Sequence, residues 1–111
     1  MAVSLKCLNK GQVPTGQAAV YTVPADKAAI MKNMRFNMRF VNTGGSATIN
    51  AYFRRGAGGT TYYILDVSKA IGAGGFLNYD DELCLEADDR IELAASAATI
   101  DYVLSGIERD Q

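Results

Sequence analysis

Six carboxylates fall close together in the chain, Asp80, Asp81, Glu82, Glu86, Asp88 and Asp89, and hard oxygen donors in such number are what a calcium ion takes. The residues between them alternate as a strand does, at about 3.3 Å per residue. The pairs 80–81 and 88–89 then sit in turns at opposite ends of a short strand, too far apart for one ion. No metal site is expected. A hydrolytic carboxylate pair would need two acids facing each other across roughly 5–10 Å, and nothing in the spacing selects one such pair. The runs RRGAGG at 54–59 and IGAGGF at 71–76 lack the Lys-Ser/Thr and the strand-to-helix setting of a phosphate loop. They read as loops. With no histidine in the chain, the commonest general base and transition-metal ligand is missing. The reading is therefore a protein that is not an enzyme and holds no cofactor.

Cys7 and Cys84 lie far apart and in no metal-binding or redox motif. Two readings stand: a pair of reduced thiols, or one disulfide tying the N-terminal strand to the strand around residues 82–86.

The elements that must position these groups are strands. In 28–40, Ile30, Met34, Phe36, Met38 and Phe40 share one parity, while Met31, Asn33, Arg35, Asn37 and Arg39 share the other, the period-2 pattern of a half-buried strand. Asn42-Thr43-Gly44-Gly45 suits a tight turn. Alternation then resumes, with Ile49, Ala51 and Phe53 inward and Thr48, Asn50, Tyr52 and Arg54 outward. The expectation is a β-hairpin over 28–53 with one apolar side.

A terminal strand over 3–13 and a strand over 18–23 precede it, the latter forming a further hairpin through the Pro24 turn. A strand over 60–67 and a glycine-punctuated crossing over 68–77 follow. Leu83, Leu85 and Ala87 alternate, Asp88-Asp89 turns the chain as a two-residue hairpin, Ile91, Leu93 and Ala95 alternate in turn, and a last strand runs from 99 to 104. Some eight strands at this spacing, with no helical period, predict an all-β fold: a single jelly-roll-like antiparallel β-sandwich over 1–111, with residues 1–16 an edge strand or arm.

The chain of 111 residues has material for one core. Its formal net charge of −1 gives no field to attract polyanions, so neither nucleic acid nor anionic membrane is an expected partner. No apolar run approaches a membrane span, and no signal peptide is recognisable near the N-terminus. The surface feature left over is basic and aromatic. Arg35, Arg39, Arg54 and Arg55, with Lys32, gather on the outer face and tip of the expected hairpin, and Tyr52, Tyr62 and Tyr63 lie beside them. Arg35, Arg39, Tyr52, Arg54, Arg55, Tyr62 and Tyr63 form the candidate protein–protein interface, the alternative being an ordinary solvated sheet face.

Four stretches, Val23-Pro24-Ala25, Val41-Asn42-Thr43-Gly44, the run from Leu85 to Ile91, and Ser105-Gly106-Ile107-Glu108, occur in an order and spacing that resembles small β-sandwich structural proteins in the virions of tailed bacteriophages. The resemblance covers about three quarters of the chain. It implies a capsid cement or decoration protein, or a head, neck or tail accessory module, made and assembled in the bacterial cytoplasm. Its implied partners are the major capsid protein or other virion proteins, with self-association as a dimer or trimer. The alternative is a receptor- or carbohydrate-binding module, in which Tyr52, Tyr62 and Tyr63 would stack on sugar rings.

Overall fold

The computed structural model describes residues 3–23, 27–30, 36–56, 58–81, 84–86 and 88–110. Among these there is no helix. The strands are β1 (Val3–Gln12), β2 (Ala18–Thr22), β3 (Lys27–Ile30), β4 (Phe36–Asn42), β5 (Ala47–Arg55), β6 (Thr61–Tyr63), β7 (Lys69–Ile71), β8 (Phe76–Asp81), β9 (Cys84–Leu85), β10 (Asp89–Ala95) and β11 (Ile100–Asp110).

Register shows how they group. β1 pairs along β11 from Asp101 to Arg109, so β4 and β3, which pair with β11 at 100–105 and 107–110, must share its opposite edge, end to end. β8 and β9 continue one another in the same way beyond β4 and β3. In the second sheet β10 occupies one edge of β5, and β6 and β7 divide the other. The result is two antiparallel sheets, β1–β11–β3/β4–β8/β9 and β2–β10–β5–β6/β7. Eight strand positions in two sheets with this order make a jelly roll, the fold class expected.

Between successive positions the chain changes sheet every time except from β5 to β6. This overturns the expected hairpins. β4 and β5 lie in different sheets, as do β2 and β3, and β9 and β10. Asn42–Ser46 is an arch between layers and not a turn within one, and from β9 to β10 the chain likewise passes between layers. Where side chains are described the alternation holds for Met38 and Phe40, fully buried, against Arg39, exposed, and for Ile49 and Ala51, both buried. What alternation leaves open is whether the next strand pairs beside its predecessor or packs across from it, because both arrangements put every second residue in the core.

Of the strand expected over 28–40, the described parts are β3, ending at Ile30, and β4, beginning at Phe36. Residues 31–35, and with them Arg35 and Lys32, fall outside the described residues. The 60–67 strand is shorter than expected, and the 68–77 crossing contains β7 and the start of β8. Asp80 and Asp81 belong to β8 and not to a turn. Cys7 carries a free, exposed thiol. Its strand β1 is separated from the β9 strand of Cys84 by β11 and β3. Three spacings of about 4.8 Å exceed the Cα reach of a disulfide, which removes that reading.

The core between the sheets is built from Val13, Val23, Met38, Phe40, Ile49, Leu85, Ile91, Leu93, Ile100 and Leu104, all essentially inaccessible. Each such side chain contributes about 1.5–3 kcal/mol by leaving water. One polar residue is buried just as completely. Asn42 donates through Nδ2 to the carbonyls of Gly45 at 2.8 Å and Ile71 at 3.0 Å, and through Oδ1 accepts from Gly44 N at 3.1 Å and Thr99 Oγ1 at 2.9 Å. A single amide thus ties the β4–β5 arch to the end of β7 and to the β10–β11 loop.

Gly44 is confined by the same joint. A Cβ there would stand 2.6 Å from Thr99 Cγ2 and 2.9 Å from Thr99 Cβ. Gly44→Ala is expected to destabilise by about 1–3 kcal/mol through overpacking. Adding Thr99→Ser, which removes Cγ2 and keeps the hydroxyl on Asn42, should recover part of that loss in urea unfolding.

Candidate functional site

The two sheets present outer faces of different chemistry, and the expected interface residues divide between them.

On the first sheet, strand parity turns Phe40, Leu77 and Tyr102 inward, so their neighbours point out. Cross-strand pairing sets Phe76, Val41, Asp101 and Gln12 in one row and Asn78, Arg39, Val103 and Lys10 in the next. Phe76 is 64% and Val103 40% exposed. The Arg39 guanidinium carbon lies 4.8 Å from the centre of the Phe76 ring, a cation–π contact. The face is apolar at Phe76, Val41 and Val103, with the Arg39 guanidinium over the Phe76 ring. The phenylalanine and Val103 escaped the sequence reading because Phe76 follows three glycines in a stretch taken for a loop. The alternation Phe76, Asn78, Asp80 was the available signal.

On the second sheet, Arg54 and Arg90 are directly opposite one another, and Glu92 is opposite Tyr52, which in turn is opposite Tyr63. Glu92 is nearly inaccessible although it points away from the core. Its Oε1 accepts a 2.6 Å hydrogen bond from Gln17 Nε2, and Oε2 lies 3.6 Å from Arg54 Nη1 and 3.7 Å from Arg90 Nη1. Arg54 Nε donates to Gly59 O at 2.9 Å. β2 carries a bulge opposite the Ile91/Glu92 step, which sets Ala19 rather than Val20 beside Glu92.

The Tyr52 and Tyr63 rings pack at 4.9 Å and 54°. Tyr52 is buried, contrary to its expected outward exposure, because Tyr63 on the short edge strand closes over it. Burial, then the neighbouring Tyr63 and Glu92, raise the Tyr52 phenol above its ordinary value of 10.0. Burial, with a smaller contribution from Cys7, does the same to Tyr102. A phenol that stays protonated longer in the folded state contributes stability that is intact below the unfolded value and lost as pH rises through the folded one. Stability should therefore decline from about pH 10 upward. Tyr52→Phe combined with Tyr102→Phe should flatten that decline in unfolding measured between pH 8 and 11.

The remaining candidates are placed elsewhere. Tyr62 is on the other side of β6 from Tyr63, 60% exposed, with its ring 6.4 Å from Phe53. Arg55 is committed to the β9–β10 arch, its Nε 2.7 Å from Asp89 Oδ1 and its Nη2 3.0 Å from Glu86 Oε2, and Asp89 also accepts from Glu86 N at 2.8 Å. Hydrogen bonding to Asp89 and the Asp89 charge, then Glu86, raise the Arg55 value further. Of the basic face expected from 35, 39, 54 and 55, the described residues do not come together, since Arg39 and Arg54 point out of opposite layers and Arg55 joins the arch; Arg35 lies outside the described residues. Among the described residues no group of three or more carboxylates and thiols is placed to hold a metal.

No family model and no curated protein matches the chain. Solved structures do. A chain of infectious bursal disease virus strain Gt superposes with a TM-score of 0.55 at 10% identity, over 96% of this chain and 31% of the viral one. The VP2 subviral particle of infectious bursal disease virus gives 0.54 at 12%, over 96% and 32%. A pentameric capsid protein from metagenomic phage sequences gives 0.42 at 13%, over 96% and 64%. This chain thus spans about a third of the length of the bursal disease virus chains. At these identities the likeness to them is one of fold, and it identifies the two-layered architecture derived above as one that viral particle proteins also use.

Proposed function

We propose that this chain is a structural virion protein that acts by contact and not by catalysis, and specifically a cement or decoration protein on the capsid of a tailed phage, associating as a dimer or trimer. The observation that carries the reading is the outer face of the first sheet, where Phe76 and Val103 stand exposed and Val41 half-buried about Arg39. An apolar patch with an embedded guanidinium and a polar edge has the composition of a protein-contact surface. The jelly-roll likeness to bursal disease virus chains and the order of turn anchors along the sequence support the viral context.

The test is occupancy. Phe76→Asp with Val103→Asp, made in the virion or in co-expressed shells, should lower the number of copies per particle by about tenfold or more and leave the thermal midpoint of the isolated chain in place. Full occupancy by this variant would defeat the proposal. Native mass spectrometry of the isolated chain reads the oligomeric state.

A second reading, a glycan- or receptor-binding module, is favoured by one observation: the Tyr63 ring is half exposed near Arg54, on a face whose outward strand residues among those described are, the tyrosines apart, polar or small.

A further inference from the structure

From the outer face of the second sheet we infer a binding site for an acidic saccharide, its carboxylate held by Arg54 and Arg90 and a sugar ring laid against Tyr63. The inference rests on the glycan-binding reading above and gives it a ligand class.

Charge on this face does not balance. Two guanidiniums flank the single carboxylate of Glu92, at 3.6 and 3.7 Å, too long for hydrogen bonds. Arg90 is the less satisfied of the two. Its Nε is buried and has no hydrogen-bond partner, alone in this among the described residues' buried side-chain polar atoms, and a buried donor left unpaired is costly. Glu92 is fixed from the other side by Gln17 and so orients both arginines without neutralising them. One positive charge and several guanidinium donors remain, and a planar carboxylate is the group such a fork matches.

The surroundings select what carries that carboxylate. Tyr63 offers a ring about half exposed and braced from behind by Tyr52. Thr61 lies two residues before it on β6 and Thr22 ends the arginine row on the far side, while Asn50 on β5 accepts from Ser68 N at 2.6 Å and keeps its amide NH2. Phe76 and Val103, apolar groups of the kind that anchor a protein partner, lie on the opposite sheet, and on this side the exposed aliphatic group is Val67 in the β6–β7 connection. A polar plane with one aromatic platform suits a hydroxylated ring instead.

The experiment is a titration of the full, isotope-labelled chain, followed by amide shifts, with tetragalacturonic acid, maltotetraose and a hexaglutamate peptide at equal ionic strength. Saturable shifts at Arg54, Arg90 and Tyr63 are expected with tetragalacturonic acid only. Arg90→Gln and Tyr63→Ala should each weaken binding about tenfold or more. Tyr63 lies on an exposed edge strand, so its variant tests the site even where Arg90→Gln fails to fold. Equal binding of maltotetraose would overturn the acidic specificity and leave the glycan reading standing. No saturable binding of either saccharide would overturn both. Equal binding of hexaglutamate would overturn the saccharide in favour of a protein carboxylate.

Discussion

Replacing Asn42 with Ala is expected to lower stability by roughly 3 kcal/mol, because buried polar partners lose hydrogen bonds worth about 1–3 kcal/mol each when left unsatisfied. The amide serves three separate segments, the β4–β5 arch, the end of β7 and the β10–β11 loop, from a position with no solvent access. The outer part of the arch at Gly45 can rehydrate, so the full sum is not lost. For a chain of this size the thermal midpoint should fall by about 10–20 °C. Asn42→Asp is the sharper comparison. It keeps the one oxygen that accepts from both Gly44 N and Thr99 Oγ1 but turns the donor face into a negative charge aimed at the carbonyls of Ile71 and Gly45. It should be at least as damaging near neutrality and partly recover when acid protonates it. A midpoint within a few degrees of the parent for Asn42→Ala would show that the three segments do not depend on the amide.

The second large effect is expected at Phe40. Its side chain is fully buried between the sheets, and Phe40→Ala should cost about 3–5 kcal/mol from lost burial and the cavity left behind. That is a large share of the ~5–15 kcal/mol that holds a domain together. One residue earlier, Arg39→Ala should leave the unfolding midpoint within about 3 °C while lowering particle occupancy, since Arg39 lies on the exposed face against Phe76. Adjacent residues with opposite phenotypes, one in urea unfolding and the other in particle composition, follow from the layered geometry. If both variants unfolded alike, Arg39 would be a structural residue and the contact face would be elsewhere.

Much of this architecture was legible before any fold was known. Alternation set Met38, Phe40, Ile49, Ala51, Ile91 and Leu93 on the apolar parities that the structure buries, and the absence of any helical period pointed to a sandwich of about eight strands. Asn42-Thr43-Gly44-Gly45 and Asp88-Asp89 were read as places where the chain reverses, but as hairpin turns and not as arches between layers, and Asp80-Asp81 was read as a turn where β8 runs. Asn42 was read there too, but only as a residue suited to tight corners. Its bonds to Ile71 and Thr99 join positions 29 and 57 residues away, and no local pattern reports them.

The functional faces were read less well, for a connected reason. Grouping Arg35, Arg39, Arg54 and Arg55 on one surface assumed that 28–53 folds back beside itself. Once the chain crosses between layers instead, Arg39 and Arg54 face opposite directions, and Arg55 is drawn into the arch with Asp89 and Glu86. The same crossing sets Arg90 next to Arg54 and Phe76 next to Arg39. Those pairings hold the two proposed sites.

Side-chain alternation is imposed residue by residue by the pleat of an extended backbone, so the chain's own order of apolar and polar groups determined that it would form a two-faced β structure and which residues would enter its interior. Which strands became neighbours was decided only when the sheets packed. A tight turn and a between-layer arch use the same residue types, and the choice between them depends on burying both apolar faces at once, a property of the whole molecule that no single segment carries.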